Sequence, residues 1–197
     1  MVSCGSDNQR DLTISVFQGY LMFADYDHTY TFVLFTDNKR EWLPVFEEAK
    51  KNFTSKEPRL KVRLTLLDVE TSKDDKVSNQ FRRCAGYRIT PGFYKRLYDL
   101  GYNRVIYLDA DTLILDNMNE LWRSWKNMEG KTFGFVSEVN IAKGWYVQQI
   151  RTGQIKQSHV MGPYGINSGV MLWDTNLTVK NNFPAVLDDI MKRYYLQ

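Results

Sequence analysis

Apolar positions along the chain change period repeatedly, and the changes mark alternating strands and helices. Val2 to Cys4 reads as the end of a buried strand. From Gln9 to Ala24, Leu12, Val16, Phe17, Tyr20, Leu21 and Ala24 recur at helical spacing. Tyr30 to Thr36 is an unbroken β-rich run, the pattern of a strand covered on both faces. Glu41 to Phe53 reads as a helix, and Leu60 to Val69 as a strand, with Leu60, Val62, Leu64 and Leu66 in period two. Lys73 to Gln80 is a polar loop. Phe81 to Leu100 is helical but broken at Thr90-Pro91-Gly92, where Pro91 suits a new first turn. Val105 to Leu108 is a short strand. Asn117 to Met128 is a helix with Met118, Leu121, Trp122 and Trp125 on one face. A strand over Thr132 to Val136, a glycine-rich irregular stretch from Lys143 to Gly165, a strand over Ile166 to Trp173 and a helix over Phe183 to Tyr195 complete the reading.

This order predicts an α/β fold with a largely parallel sheet, in a single domain over residues 1–197. In such sheets ligands sit beyond the carboxyl ends of strands. Two such ends carry polar chemistry: Cys4-Gly5-Ser6-Asp7, and Asp109-Ala110-Asp111. A chain that opens inside a strand is expected to have lost sequence upstream, a stretch that could carry a membrane anchor.

Composition narrows the partners. The 26 Lys and Arg are interspersed with 23 Asp and Glu, for a net charge of +3 and no basic run, so nucleic acid is a poor partner. No stretch reaches the ~20 apolar residues that cross a bilayer, and no secretory leader opens the chain. The two cysteines, Cys4 and Cys84, are either separate buried thiols or one long-range disulfide of an oxidising compartment. Asn52-Phe53-Thr54 and Asn176-Leu177-Thr178 are N-glycosylation acceptors, which lean toward that compartment.

The chemistry concentrates after the strand Val105 to Leu108. Asp109 and Asp111 lie one residue apart, so straight strand geometry would send them to opposite faces. Both reach one ion only if the chain turns after Asp109. Two hard oxygen ligands suit Mg²⁺ or Mn²⁺ shared with phosphates. A solvated loop would also hold aspartates here, and a haloacid-dehalogenase-type phosphatase also shows an apolar strand followed by Asp-x-Asp-x-Thr, as in Asp109-Ala-Asp111-Thr112. In such a phosphatase the first aspartate is a phosphoryl acceptor. That motif normally follows the first strand of its domain, whereas about a hundred residues precede it here. Asp188-Asp189 could be mistaken for the second acidic pair of such a phosphatase, but it falls inside a helical pattern. Gly165-Ile-Asn167-Ser168-Gly169-Val170 then combines an amide, a hydroxyl and a close-approach glycine, groups able to hold sugar hydroxyls.

Tyr-Leu-Asp-Ala-Asp-Thr followed by Asn-Ser-Gly-Val resembles glycosyltransferase family 8, the glycogenin-like retaining enzymes. Cys4-Gly5, Cys84-Ala-Gly-Tyr-Arg88 and Gly144-Trp-Tyr146 are most similar to its glucoside xylosyltransferases. The resemblance implies a GT-A nucleotide-diphospho-sugar transferase fold, C-terminally incomplete, since the family's Gly-Asp-Gln segment and late metal-binding histidine are not found and His28 and His159 stand elsewhere. It implies that this fragment alone is inactive. It further implies Mn²⁺ (or Mg²⁺) on Asp109 and Asp111, and a UDP-sugar, UDP-xylose by the subfamily likeness. The donor would be lined by Cys4, Gly5, Ser6, Arg88, Tyr107, Leu108, Ala110, Asn167 and Ser168. Lys95 and Arg96 would face either phosphates or solvent, and Trp145 and Tyr146 an acceptor sugar or the core. The implied acceptor is O-linked glucose on EGF-like repeats, in the Golgi or ER lumen. No residue is singled out as a catalytic nucleophile.

Overall fold

The computed structural model describes residues 1–70, 83–137, 145–154, 156, 166–183, 185, 186 and 189. Strands β1 (Thr29–Thr36) and β2 (Lys61–Asp68) pair in parallel, Thr29 opposite Lys61 through to Thr36 opposite Asp68. Parallel neighbours need a crossover, and α2 (Lys39–Lys56) supplies it. Ahead of β1 runs α1 (Asp7–Met22). Residues Met1–Ser3 lie along the other side of β1. Phe35 N–H donates to the Met1 carbonyl at 3.1 Å, and Ser3 N–H donates to the Phe35 carbonyl at 2.9 Å.

Strands β3 (Arg104–Leu108), β4 (Phe133–Ser137) and β5 (Ile166–Asp174) form a second sheet in the order β3-β5-β4, and both of its pairings are antiparallel. The expectation of a largely parallel sheet is therefore corrected. Period two reveals that a segment is a strand; it carries no information about the direction in which the preceding connection delivers it.

Alternation along the strands divides the apolar side chains between two cores. Tyr30, Phe32 and Leu34 join Val16, Phe17, Leu21, Trp42 and Phe46, with Leu108, Ala110 and Ile114 packed beside them. Phe17 stands 4.8 Å from Phe32 and 5.5 Å from Phe46, ring centre to ring centre. On the other face, Val2, Phe35 and Leu67 meet Phe93, Tyr94, Tyr107, Met171 and Trp173. β1 and β3 each contribute to both cores, so the two sheets lie side by side in one layer.

Helix α3 (Arg83–Tyr87) is followed by α4 (Pro91–Asp99), which starts at the expected proline after the extended Thr90. The stretch from Asn117 to Met128 is divided between α5 (Met118–Arg123) and a 3-10 turn, Ser124–Asn127. Trp125 is buried, but Trp122 is 43% exposed, so the predicted apolar face is only partly covered. A short helix α6 (Trp145–Arg151) occupies part of the segment read as irregular. Another, α7 (Thr175–Lys180), begins where the Asp174 side chain accepts the Leu177 N–H at 2.8 Å. The predicted loop at Lys73–Gln80, the glycines of residues 162–165 and most of the predicted closing helix lie outside the described residues. Cys4 and Cys84 are joined in a disulfide, with Cα atoms 5.9 Å apart, which settles the choice against two separate thiols.

Candidate functional site

Because β5 runs antiparallel to β3, its amino end lies beside the carboxyl end of β3. Leu108 faces Val170, and one step further Asp109 N–H donates to the Gly169 carbonyl at 2.8 Å. The chain then turns, with Thr112 N–H donating to the Asp109 carbonyl at 3.2 Å. This is the turn that the Asp-x-Asp spacing requires. On the opposite edge of β5 the ladder slips: Phe135 faces Met171 and Val136 faces Asn167, so Ser168, Gly169 and Val170 are passed over by β4. Such a bulge re-aims side chains. A Cβ on Gly169 would lie 3.1 Å from Asn167 Oδ1 and 3.4 Å from Asp109 Oδ2. A methyl group there would crowd Asn167 Oδ1 and come into contact with Asp109 Oδ2, so glycine leaves the junction of the two motifs open.

Arg88, just past α3, joins them. Its Nη1 donates to Asp109 Oδ1 at 3.1 Å and to the Ser168 carbonyl at 3.3 Å, and its Nη2 donates to Ser168 Oγ at 2.9 Å. Tyr107 donates its hydroxyl to Asp109 Oδ1 at 2.8 Å. Burial, reinforced by the neighbouring Asp109 charge, raises the Tyr107 pKa far above the ordinary phenol value, so it remains a donor. The Asp109 carboxylate is thus aimed by one cation and one phenol. Asp111, after the turn, is exposed. Among the described residues no three His, Cys, Asp or Glu side chains form a metal-binding group. Two carboxylate ligands with phosphate oxygens and water completing the shell is a donor set that suits Mg²⁺ or Mn²⁺.

The second strand end stands close through covalent linkage. Gly5 has φ +103°, which a side chain would strain, and its N–H donates to Asp37 Oδ1 at 3.1 Å. Ser6 is the exposed N-cap of α1. The Cys4–Cys84 disulfide ties this loop to α3, and so to Arg88. Asp37 was missed in the sequence. Its signal was available, an acidic residue directly after a buried strand ending at Thr36.

The remaining sequence candidates separate by burial. Tyr107, Leu108 and Ala110 have buried side chains, so the backbone is what they offer a ligand. Asn167 turns its Oδ1 toward the Gly169 N–H at 2.8 Å. Lys95 lies 3.5 Å from Asp99 and Arg96 pairs with Glu70, which makes that helix face a solvated one. His28 is exposed, with Nδ1 2.8 Å from Asp25 Oδ1, and His159 lies outside the described residues. The side chains of Trp145 and Tyr146 also lie outside them. Asn52 and Asn176 are both exposed, whereas Thr178 of the second acceptor is buried and receives the Trp173 indole N–H at 2.7 Å.

An Asp-x-Asp turn at a strand end, facing an Asn-Ser-Gly bulge within a mixed α/β layer, is the arrangement of a GT-A glycosyltransferase. The sequence model of glycosyl transferase family 8 matches residues 29–195, and the chain belongs to that family. Asp109-Ala-Asp111-Thr112 is therefore not a phosphatase motif. Among solved structures, mouse xyloside xylosyltransferase 1 in its apo form superposes with a TM-score of 0.56 at 16% identity, over 90% of this chain and 67% of that one. The apo structure of the bifunctional glycosyltransferase WbbM gives 0.57 at 13% identity, over 92% of this chain and 32% of its own length. At these identities the likeness is one of fold. Comparison with curated protein sequences finds no match.

Proposed function

We propose that the chain forms the donor-binding part of a retaining, divalent-metal-dependent UDP-sugar transferase. One observation carries this reading: Arg88 gathers the Asp109 carboxylate and Ser168 into a single cluster, so both family motifs converge on one point. Asp109 and Asp111 would hold Mn²⁺ or Mg²⁺. When bound, the ion would neutralise the departing diphosphate. Arg88 and Tyr107 hold Asp109 in place; Gly5 and Ser6 present backbone to the nucleotide; Asn167 and Ser168 face the donor sugar. Electrostatic stabilisation of the leaving group, with no protein nucleophile, is the expected source of rate.

The donor is assigned as UDP-xylose and the acceptor as O-linked glucose on EGF-like repeats, supported by the Cys4-Gly5, Cys84-to-Arg88 and Gly144-Trp-Tyr146 elements. The disulfide and the exposed asparagine acceptors favour the secretory lumen. No helix among the described residues is long and apolar enough to cross a membrane. Calorimetry with UDP and Mn²⁺ tests the metal assignment. Asp109→Asn and Asp111→Asn should each abolish metal-dependent binding, and unchanged affinity in both would remove it. UDP-xylose should bind at least as tightly as UDP-glucose. Response to UDP-glucose alone would move the assignment to a hexose donor.

A further inference from the structure

The two asparagine acceptors are both exposed, yet the fold treats their triplets unequally. Asn52 lies near the end of α2, where Thr54 is half-buried and its Oγ donates to the Lys50 carbonyl at 3.0 Å. The buried side chains of α2, Trp42, Phe46 and Ala49, all precede the triplet, and Phe53 within it is only partly buried. The last turn can therefore open while the rest of the helix stays packed. Asn176 lies in α7, and there Thr178 is buried. Its Oγ donates to the Asp174 carbonyl at 2.7 Å and accepts the Trp173 indole N–H at 2.7 Å. The residue on the other side is fastened too: Thr175 N–H donates to the Asn103 carbonyl at 3.0 Å, and Thr175 Oγ to the Tyr102 carbonyl at 2.6 Å.

We propose, on the lumenal reading given above, that Asn52 is the glycan-bearing acceptor and that the Trp173–Thr178 clasp withholds Asn176. The acceptor triplet is read through its hydroxyl as well as its amide, and Thr178 cannot present that hydroxyl while Trp173 and Asp174 hold it. Chain order widens the difference, because a polypeptide enters the lumen from its amino end. α2 closes on the core beside Leu60 and Leu66, which are made after Asn52, so Asn52 enters before its helix can be packed. The partners Tyr102, Asn103, Trp173 and Asp174 are all made before Asn176, so its clasp closes as the triplet emerges. In the transfer, Asn52 Nδ2 bonds C1 of a lipid-linked oligosaccharide diphosphate. The C1–O bond breaks, the diphosphate departs with the electron pair, and the amide gives up one proton. α2 returns from the carboxyl end of β1 to the amino end of β2, so a glycan near its end stands away from Asp109 and the donor site.

The test translates the chain behind a cleavable secretory leader in the presence of microsomes, which delivers it to the lumen whatever its native address. Glycosidase-sensitive gel shifts and glycopeptide mass spectrometry then read each site. The unaltered chain should carry one glycan, lost in Asn52→Gln and kept in Asn176→Gln. Trp173→Ala removes the buried donor to Thr178 and should raise modification of Asn176 about tenfold. A bare Asn52, or an Asn176 modified as fully as Asn52 in the unaltered chain, would overturn the proposal. So would an Asn176 that stays bare in Trp173→Ala, since something other than the clasp would then withhold it. A chain without metal-dependent UDP binding would give the same glycan pattern, so the two readings fail separately.

Discussion

Asp109 is oriented by two neighbours whose legibility in the sequence differs. Residues 107 and 109 fall on one face of a strand by period two, so the Tyr107–Asp109 contact could be read from spacing. Arg88 sits on a different element, and its approach to Asp109 depends on how α3 is docked, which no local pattern encodes. Tyr107→Phe should cost about 1 kcal/mol of stability, the net worth of one hydrogen bond. It should also weaken metal-dependent UDP binding several-fold, measured by calorimetry beside a urea titration. Gly169→Ala is a sharper probe. The added methyl group would crowd Asn167 Oδ1 and touch Asp109 Oδ2, so the fold should persist, as seen by circular dichroism, while UDP affinity falls about tenfold. Full affinity in the Gly169→Ala protein would mean that the two motifs need not meet so closely.

At the scale of elements, the strands and longer helices were legible because each carries enough apolar periodicity to bury a face. Apolar spacing predicts a helix over Gln9–Ala24, and α1 occupies Asp7–Met22. It predicts a strand over Ile166–Trp173, and β5 occupies Ile166–Asp174. The short helices α6 and α7 were not legible, since six or seven residues complete barely two turns and show no period. Strand direction was also hidden, and with it the fact that the Asn-Ser-Gly bulge would land beside Asp109. The disulfide adds a constraint of another kind. It closes a loop with a sequence separation of 80, for which chain entropy gives about 4–5 kcal/mol of stabilisation. Replacing both cysteines by serine should lower urea-unfolding stability by about 2–5 kcal/mol. A change below about 1 kcal/mol would show that the bridge contributes little to the fold.

For the molecule as a whole, the disulfide has a consequence of its own. It fastens the Gly5–Ser6 loop to the helix that delivers Arg88, so thiol chemistry and donor binding act on one body. If the bridged form binds nucleotide ten times more tightly than the reduced form, nucleotide must disfavour reduction by the same factor. For a two-electron couple that displaces the bridge's reduction potential by about 30 mV. Nucleotide would then act as a shield for the bridge, and the resistance of Cys4–Cys84 to a graded series of thiol buffers would titrate donor occupancy without any turnover being measured.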